Sequence, residues 1–503
     1  MTEFSPAHRK ITIIIASLGT SMGFIDATAL NVALPFIQSS LNASATDIHW
    51  VLEIYLLFLA ALMMAGGALG DSMGRRKPLR WGVAAFGITS LGCALSSSAE
   101  MLILFRAFQG IAAALMIPAT LALINASFPP EDRGEAIGKW SSVVALTIPL
   151  GPLVGGLAVD YVSWHMVFLL NIPICLIMLG LLAILPRPPF EPPVGQPLDK
   201  LGSLTITASL GLITYAMLES GRIGAFSPYE AAFLAAGICL FMLFFVVERY
   251  QKQPMLPLFL LKDRRFLLVT LQTLVLFAGF QSAMYFLSFL YIQSYEYTAL
   301  QAGAATLPIS IIVALISRSM GRAVVKYGPR LILFVSSVLM AVSLFWLSMT
   351  DGHYWSSVLP AMMVMGVSVG LFAAPLTTVA MAAAGPGRDG LASGVNNAVS
   401  RIGPLLAIAI FSFWIGGSFT SALQAYLDST SLPADTKTYL WQMREMMAAI
   451  PISGDWPSEA QQQISITLKS IFADSIKNIL RVSSACALLA GVLALFYRKT
   501  DAQ

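Results

Sequence analysis

Charge is scarce in this chain of 503 residues: Asp, Glu, Lys and Arg make up 11% of it, against about 25% in ordinary soluble domains. With 57% hydrophobic residues and a mean hydropathy of +0.76, that shortage excludes a water-soluble protein, because no soluble core absorbs so much apolar surface. Cysteine is scarce too. Cys93, Cys175, Cys239 and Cys486 all lie within apolar runs without CxxC or Cys/His spacing, which argues against a zinc site or a disulfide scaffold and leaves them as small packing residues. No HExxH, GxSxG or phosphate-binding glycine loop is present, and no segment reads as a soluble domain. The expectation is a non-enzyme without metal or cofactor, with no direct use of ATP. The net charge of +4 does not point to nucleic acid, since the basic residues sit in short clusters between apolar segments.

What the sequence has is long apolar runs. A helix needs about 20 such residues to cross roughly 30 Å of hydrocarbon. Segments of this kind begin near Ile11, Ile48, Leu79, Met101, Ala136 and Met166, then Leu201 and Tyr229, then Phe266, Leu300, Leu331, Trp355, Leu391 and Ile479. The first is too long for a signal peptide and has no A-x-A cleavage site, so it reads as retained. The expected fold is an all-α integral membrane protein with fourteen spans. Lys and Arg set its orientation: alternate connections hold 22 of the 30, whereas the short loops on the other side hold only Arg222. That asymmetry puts both termini in the cytoplasm, with the chain in the cell's inner (plasma) membrane.

Two connections stand apart. Pro186 to Pro197, with Pro188, Pro189, Pro192 and Pro193 between, reads as a stiff extended linker. It divides a six-helix bundle at 1–185 from the linker and two inserted spans at 186–265. A second six-helix bundle at 266–503 carries a long outer loop at 421–477, too long for an ordinary turn and readable as functional, partly folded or passive. An internal repeat supports this division. GALGDSMGRR, Gly67 to Arg76, recurs as GRAVVKYGPR, Gly321 to Arg330, with Gly67 and Gly74 matching Gly321 and Gly328 at an offset of 254. Pro130, Arg133, Gly134, Ala136 and Gly138 face Pro386, Asp389, Gly390, Ala392 and Gly394 at an offset of 256. Two pseudo-symmetric bundles put a substrate site near the midplane between them and let them rock around it.

Four motifs carry a family resemblance. The loop GALGDSMGRRKPL between spans two and three resembles the signature loop of the major facilitator superfamily, and Leu102, Arg106, Gln109 and Gly110 resemble its fourth-helix pattern. Gly151, Pro152, Gly155 and Gly156 resemble the fifth-helix element of drug antiporters, with Thr147 where a further glycine is usual. Asp26-Ala27-Thr28-Ala29-Leu30-Asn31-Val32-Ala33-Leu34-Pro35 resembles the first-helix element of the fourteen-helix drug:proton antiporters. The resemblance implies proton-coupled export. It also implies gating roles for Gly67, Asp71, Gly74 and Arg75, with Asp71 latching the halves at the inner mouth against the span that opens after Gly387. Gly151, Pro152, Gly155 and Gly156 would seal a path between halves by close helix approach. Arg75 has Glu131 or Asp132 as candidate partners.

Ionisable residues inside spans are functional candidates by default. Asp26 falls 15 residues after Ile11, about 22 Å along a helix and roughly 8 Å short of the far edge of the hydrocarbon. Glu53 and Arg106, each five residues into an oppositely directed span, reach about the same depth, so the three are expected to form a proton-coupling group, or else a static ion pair joining helices. Asp26, Asn31, Tyr55, Gln281, Tyr285, Asn396 and Asn397 are the candidate substrate-binding residues, and Arg401 lines the cavity or ties helices. The expected partners are a small-molecule substrate, protons and the lipid bilayer, with the protein a monomer. The substrate is expected to be amphipathic and cationic or neutral. A carrier for one endogenous metabolite or lipid fits the same features, and a transport-dead receptor is the alternative of another class.

Overall fold

The computed structural model describes residues 5–498 except 130–131, 133–135, 137–138, 141–142, 145–146, 148–149, 187–198, 224, 252–253, 255, 257, 385–388 and 453–457. All regular structure among the described residues is helical. α1 (Pro6–Leu41) begins with Ser5 and His8 in a reciprocal capping box and Pro6 at its first position, and it stops where Asn42 turns left-handed at φ 48°, a conformation that suits asparagine. Ser44 and Asp47 form the same box to open α2 (Ala45–Met73). Such caps satisfy the orphan amide groups at a helix start, so the turn between α1 and α2 is written locally. α3 (Arg76–Ala94), α4 (Ala99–Ser127), α5 (Leu150–Tyr161) and α6 (Asn171–Ile184) follow, then α7 (Lys200–Ile223) and α8 (Pro228–Tyr250). The remainder comprises α9 (Arg264–Phe289), α10 (Ala299–Ala305), α11 (Leu307–Tyr327), α12 (Pro329–Ser348), α13 (Leu359–Ala384), α14 (Asp389–Ser429) and α15 (Ser458–Ala494).

Twelve helices among the described residues are long and apolar enough to cross a membrane, against fourteen expected. The two others are the segments at Leu79 and Ala136. α3 is a helix of 19 residues whose basic start, Arg76, Lys77 and Arg80, lowers its hydropathy. The Ala136 segment falls partly outside the described residues, and α5 is its far part. The Pro-rich linker also lies outside them. The segment 421–477 is partly helical: α14 continues to Ser429 and α15 starts at Ser458, before the expected Ile479. Between them lie a short helix, Ala434–Gln442, and a tight helical turn, Arg444–Ala449, in which Met447 has φ 55°. Both helix extensions are polar, as suits helices that continue beyond hydrocarbon.

Packing follows chain order. α4 lies against α1, α2 and α3, and α5 against α1; later, α12 and α13 pack together, α11 lies on α13, and α9 on α14 and α15. α5 with α10, α2 with α14 and α1 with α9 join the early helices to the late ones. α7 packs on both α2 and α14, while α8 leans on α7 and buries only 11% of its apolar window. The repeat read at 254 residues has a backbone counterpart. Gly74, between α2 and α3, has φ 87° and ψ 151°; Gly328, between α11 and α12, has φ 86° and ψ 158°. This region is open essentially to glycine alone.

Candidate proton and substrate site

α1, α3, α4 and α6 converge on one buried carboxylate. Arg106 on α4 donates from Nη1 to Oδ2 of Asp26 at 2.7 Å, with neither side chain exposed. The other carboxylate oxygen, Oδ1, accepts from Gln109 Nε2 at 3.1 Å and from Asn171 Nδ2 at 2.8 Å. Gln109 in turn accepts from Arg106 at 2.7 Å and donates to Ser90 Oγ at 2.8 Å. The guanidinium is further held by the Val51 carbonyl at 3.0 Å and by the Tyr55 ring, 4.1 Å away. Spacing explains the set: Arg106 and Gln109 are three apart and share a helix face, and Asp26, in mid-α1, faces them across the α1–α4 contact. Removing one member of such a pair strands the other charge in a dry interior, at a cost of about 3–5 kcal/mol.

Glu53 is not in this network, contrary to the expected group of three. Among the described residues both its carboxyl oxygens are buried and without a hydrogen-bond partner, and the side chain is fully buried. Equal depth does not give equal azimuth. Tyr55, two residues on, turns to Arg106, and residues two apart on a helix do not share a face. Glu53 instead lies within electrostatic reach of Tyr285 on α9, whose hydroxyl is also buried and unpartnered. His49, one turn earlier, is edge-on to Tyr285, Phe286 and Phe289 at 5.7, 6.1 and 6.4 Å. The seam between α2 and α9 is thus aromatic around one carboxyl group.

The glycine-rich element brings backbones together. A side chain at Gly151 would strike Thr28, and one at Gly155 would meet the Ala29 carbonyl of α1 at 2.5 Å. Gly156 faces the other way, with the Ala299 carbonyl of α10 at 2.6 Å, and Gly303 of α10 abuts the Pro152 carbonyl. Asp160 closes this contact by accepting from the amides of Ala299 at 3.1 Å and Leu300 at 2.7 Å, at a helix start where an acid is favoured. Thr147 donates to Ser21 on α1 at 3.0 Å. At the same end of the molecule Gln293 bonds Gln38 at 2.9 Å, and Met446 and Met447 line a small cavity together with His49, Phe286 and Phe289.

At the opposite end, Gly67 meets only Pro118 and Gly70 lies beside the Arg75 side chain, while Asp132 pairs with Arg9 at 3.1 Å. The Asp71 side chain, Glu131 and Gly387 fall outside the described residues. Among the other expected binding residues, Asn396 accepts from Thr273 on α9 at 2.8 Å and so ties α9 to α14. Asn397 is exposed, Gln281 is half-buried, and the Asn31 amide oxygen is buried without a partner. Gln109, Asn171 and Ser90 were not on the expected list. Asn171 had a signal, a lone amide inside the run Phe168 to Leu176, and Gln109 stood in a quoted motif.

A family model described as Major Facilitator Superfamily matches residues 16–408. The chain is 32% identical over 403 residues, 79% of it and 86% of the relative, to the methylenomycin A resistance protein of Bacillus subtilis (strain 168). It is 27% identical over 498 residues, 97% of it and 92% of the relative, to the tetracenomycin C resistance and export protein of Streptomyces glaucescens. Its fold resembles that of a bacterial homolog of the human lysosomal transporter Spinster in an inward-facing, unoccupied conformation, with TM-score 0.65, 15% identity and 98% of both chains covered. It also resembles a peptide transporter solved with sulfate, with TM-score 0.61, 14% identity and coverage of 98% and 95%. With a buried carboxylate network inside a bundle of membrane-length helices and a family match over most of its length, the chain belongs to the major facilitator superfamily and is a membrane transporter rather than an enzyme.

Proposed function

We propose that this chain is a proton-coupled carrier that exports amphipathic small compounds by alternating access. The observation that carries the reading is the contrast between two buried carboxyl groups. Asp26 has donors on both oxygens, whereas Glu53 has none. A carboxylate sealed from water without a partner costs several kcal/mol, and a bound proton removes that charge. Glu53 therefore holds a proton while the α2–α9 seam is shut and releases it when water enters. Asp26 and Arg106 form the second half of the exchange, since loosening their pair hands a charge to the same interior. Export of drug-like compounds is supported by the names of the relatives, which describe resistance and export.

The finer architecture belongs to the same proposal. Fourteen spans form two six-helix bundles with α7 and α8 inserted, as a monomer in the plasma membrane with both termini cytoplasmic. The α5–α10 contact and residues 430–452 are then the outer seal, and Asp71, Gly67, Gly74 and Arg75 the inner latch. Asn31, Tyr55, Gln281, Tyr285, Asn396 and Asn397 surround the substrate path. The test is purified protein in proteoliposomes with an internal pH dye: adding a transported dye should move protons across the membrane, and dye flux indifferent to a pH gradient would remove proton coupling.

A further inference from the structure

Donors without acceptors collect at one place in the interior. Arg401 on α14 is 9% exposed, stacks on the Phe24 ring of α1 at 4.9 Å, and has no hydrogen bond or ion pair among the described residues. The Tyr55 hydroxyl of α2, within electrostatic reach of Arg401, is buried and unpartnered among the described residues, as is Arg106 Nη2. Both oxygens of the one carboxylate nearby, Asp26, are already engaged. Glu53 points to the α9 side and does not answer them.

A guanidinium left unpaired in a dry interior costs several kcal/mol, and its planar fork matches an oxyanion through paired hydrogen bonds. We propose that Arg401 and the Tyr55 hydroxyl bind the anionic group of the transported compound, so that the substrates are amphipathic organic anions or zwitterions of the carboxylate kind. The ring of Phe24 supplies the apolar floor beside that group. This rests on the transport reading above and revises its expected substrate charge: the cation expectation rested on Asp26 and Glu53, of which Asp26 is engaged on both oxygens and Glu53 lies toward Tyr285.

The experiment uses the full chain in lipid nanodiscs with two dyes on nearly one ring frame, fluorescein with its carboxylate and rhodamine 123 with a methyl ester and a positive charge. Anisotropy titrations should show the parent preferring fluorescein. Arg401→Gln should lower the fluorescein-to-rhodamine affinity ratio by about tenfold or more, the scale of one charge-assisted hydrogen bond, with Arg401→Lys intermediate. Tyr55→Phe, which removes only a hydroxyl that bonds nothing in the free protein, should lower the same ratio. A parent that binds both dyes alike, binds neither or prefers rhodamine 123 overturns the proposal, as does an unchanged ratio in folded Arg401→Gln and Tyr55→Phe. Dye flux in proteoliposomes is read in parallel. Flux without charge preference sinks this inference alone, whereas the stated binding preference without flux supports it and sinks the transport reading.

Discussion

Asp26 and Arg106, 80 residues apart in sequence, meet at 2.7 Å with neither side chain exposed. Arg106→Ala leaves the Asp26 carboxylate with only the Gln109 and Asn171 amides, and the expected loss is about 3–5 kcal/mol. Thermal unfolding in detergent should fall accordingly. Asp26→Asn keeps the shape but cannot release a proton, so it should abolish proton-driven accumulation while downhill exchange persists. Parent-like proton movement in Asp26→Asn would make Asp26 a structural residue.

Glu53 gives the opposite combination. Because neither oxygen is bonded, Glu53→Gln should cost less than about 1 kcal/mol, with the unfolding midpoint nearly unchanged. The protons moved per substrate, followed with the internal pH dye, should drop. An undiminished proton count would move the coupling site away from the α2–α9 seam.

The α5–α10 contact has no room to grow. With the Ala299 carbonyl 2.6 Å from where a Cβ would stand, Gly156→Leu should force the two backbones apart. Cysteines introduced at Asp160 and Leu300 should then cross-link at least several-fold more slowly than in the Gly156 parent. Equal cross-linking rates in the two backgrounds would show that this contact does not need glycine.

Gly74 and Gly328 share one backbone conformation, so Gly74→Ala and Gly328→Ala should each cost on the order of 1–3 kcal/mol. Unfolding midpoints of the two variants should fall by similar amounts. A harmless substitution at either position would break the equivalence of the two repeats.

Orientation is tested by a single cysteine at Ser429, at the end of α14, against one at Lys200. In a cysteine-free background an impermeant thiol reagent added to whole cells should label the first and spare the second. Reversed labelling would overturn the cytoplasmic placement of the termini.

How far the sequence spoke can be judged residue by residue. Asp26 and Arg106 were legible because charge inside an apolar run is conspicuous, and Gly151, Gly155 and Gly156 because close helix approach needs small residues. Glu53 shares the depth of Asp26 and Arg106 but not their direction: residue counts give depth along a helix, whereas the facing direction turns by about 100° per residue and depends on neighbours. Asn171 went unnoticed since a neutral amide barely alters hydropathy. The polar ends of α14 and α15 read as loop because a helix beyond the bilayer needs no apolar run. Arg401 stands between two roles in the sequence, which does not reveal whether a cation has a partner.

The length of α14 has a mechanical consequence. Its 41 residues make a rod of about 61 Å, and Arg401 divides it into an arm of roughly 18 Å toward Asp389 and one of roughly 42 Å toward Ser429. Pro404, just beyond, interrupts the hydrogen-bond ladder and makes that point a natural fulcrum. A tilt at Arg401 is therefore amplified more than twofold at the distant tip, where the short helix Ala434–Gln442 and the turn Arg444–Ala449 follow. Spin labels at Ser429 and Asn42 would register as ångströms a displacement too small to measure at the fulcrum itself.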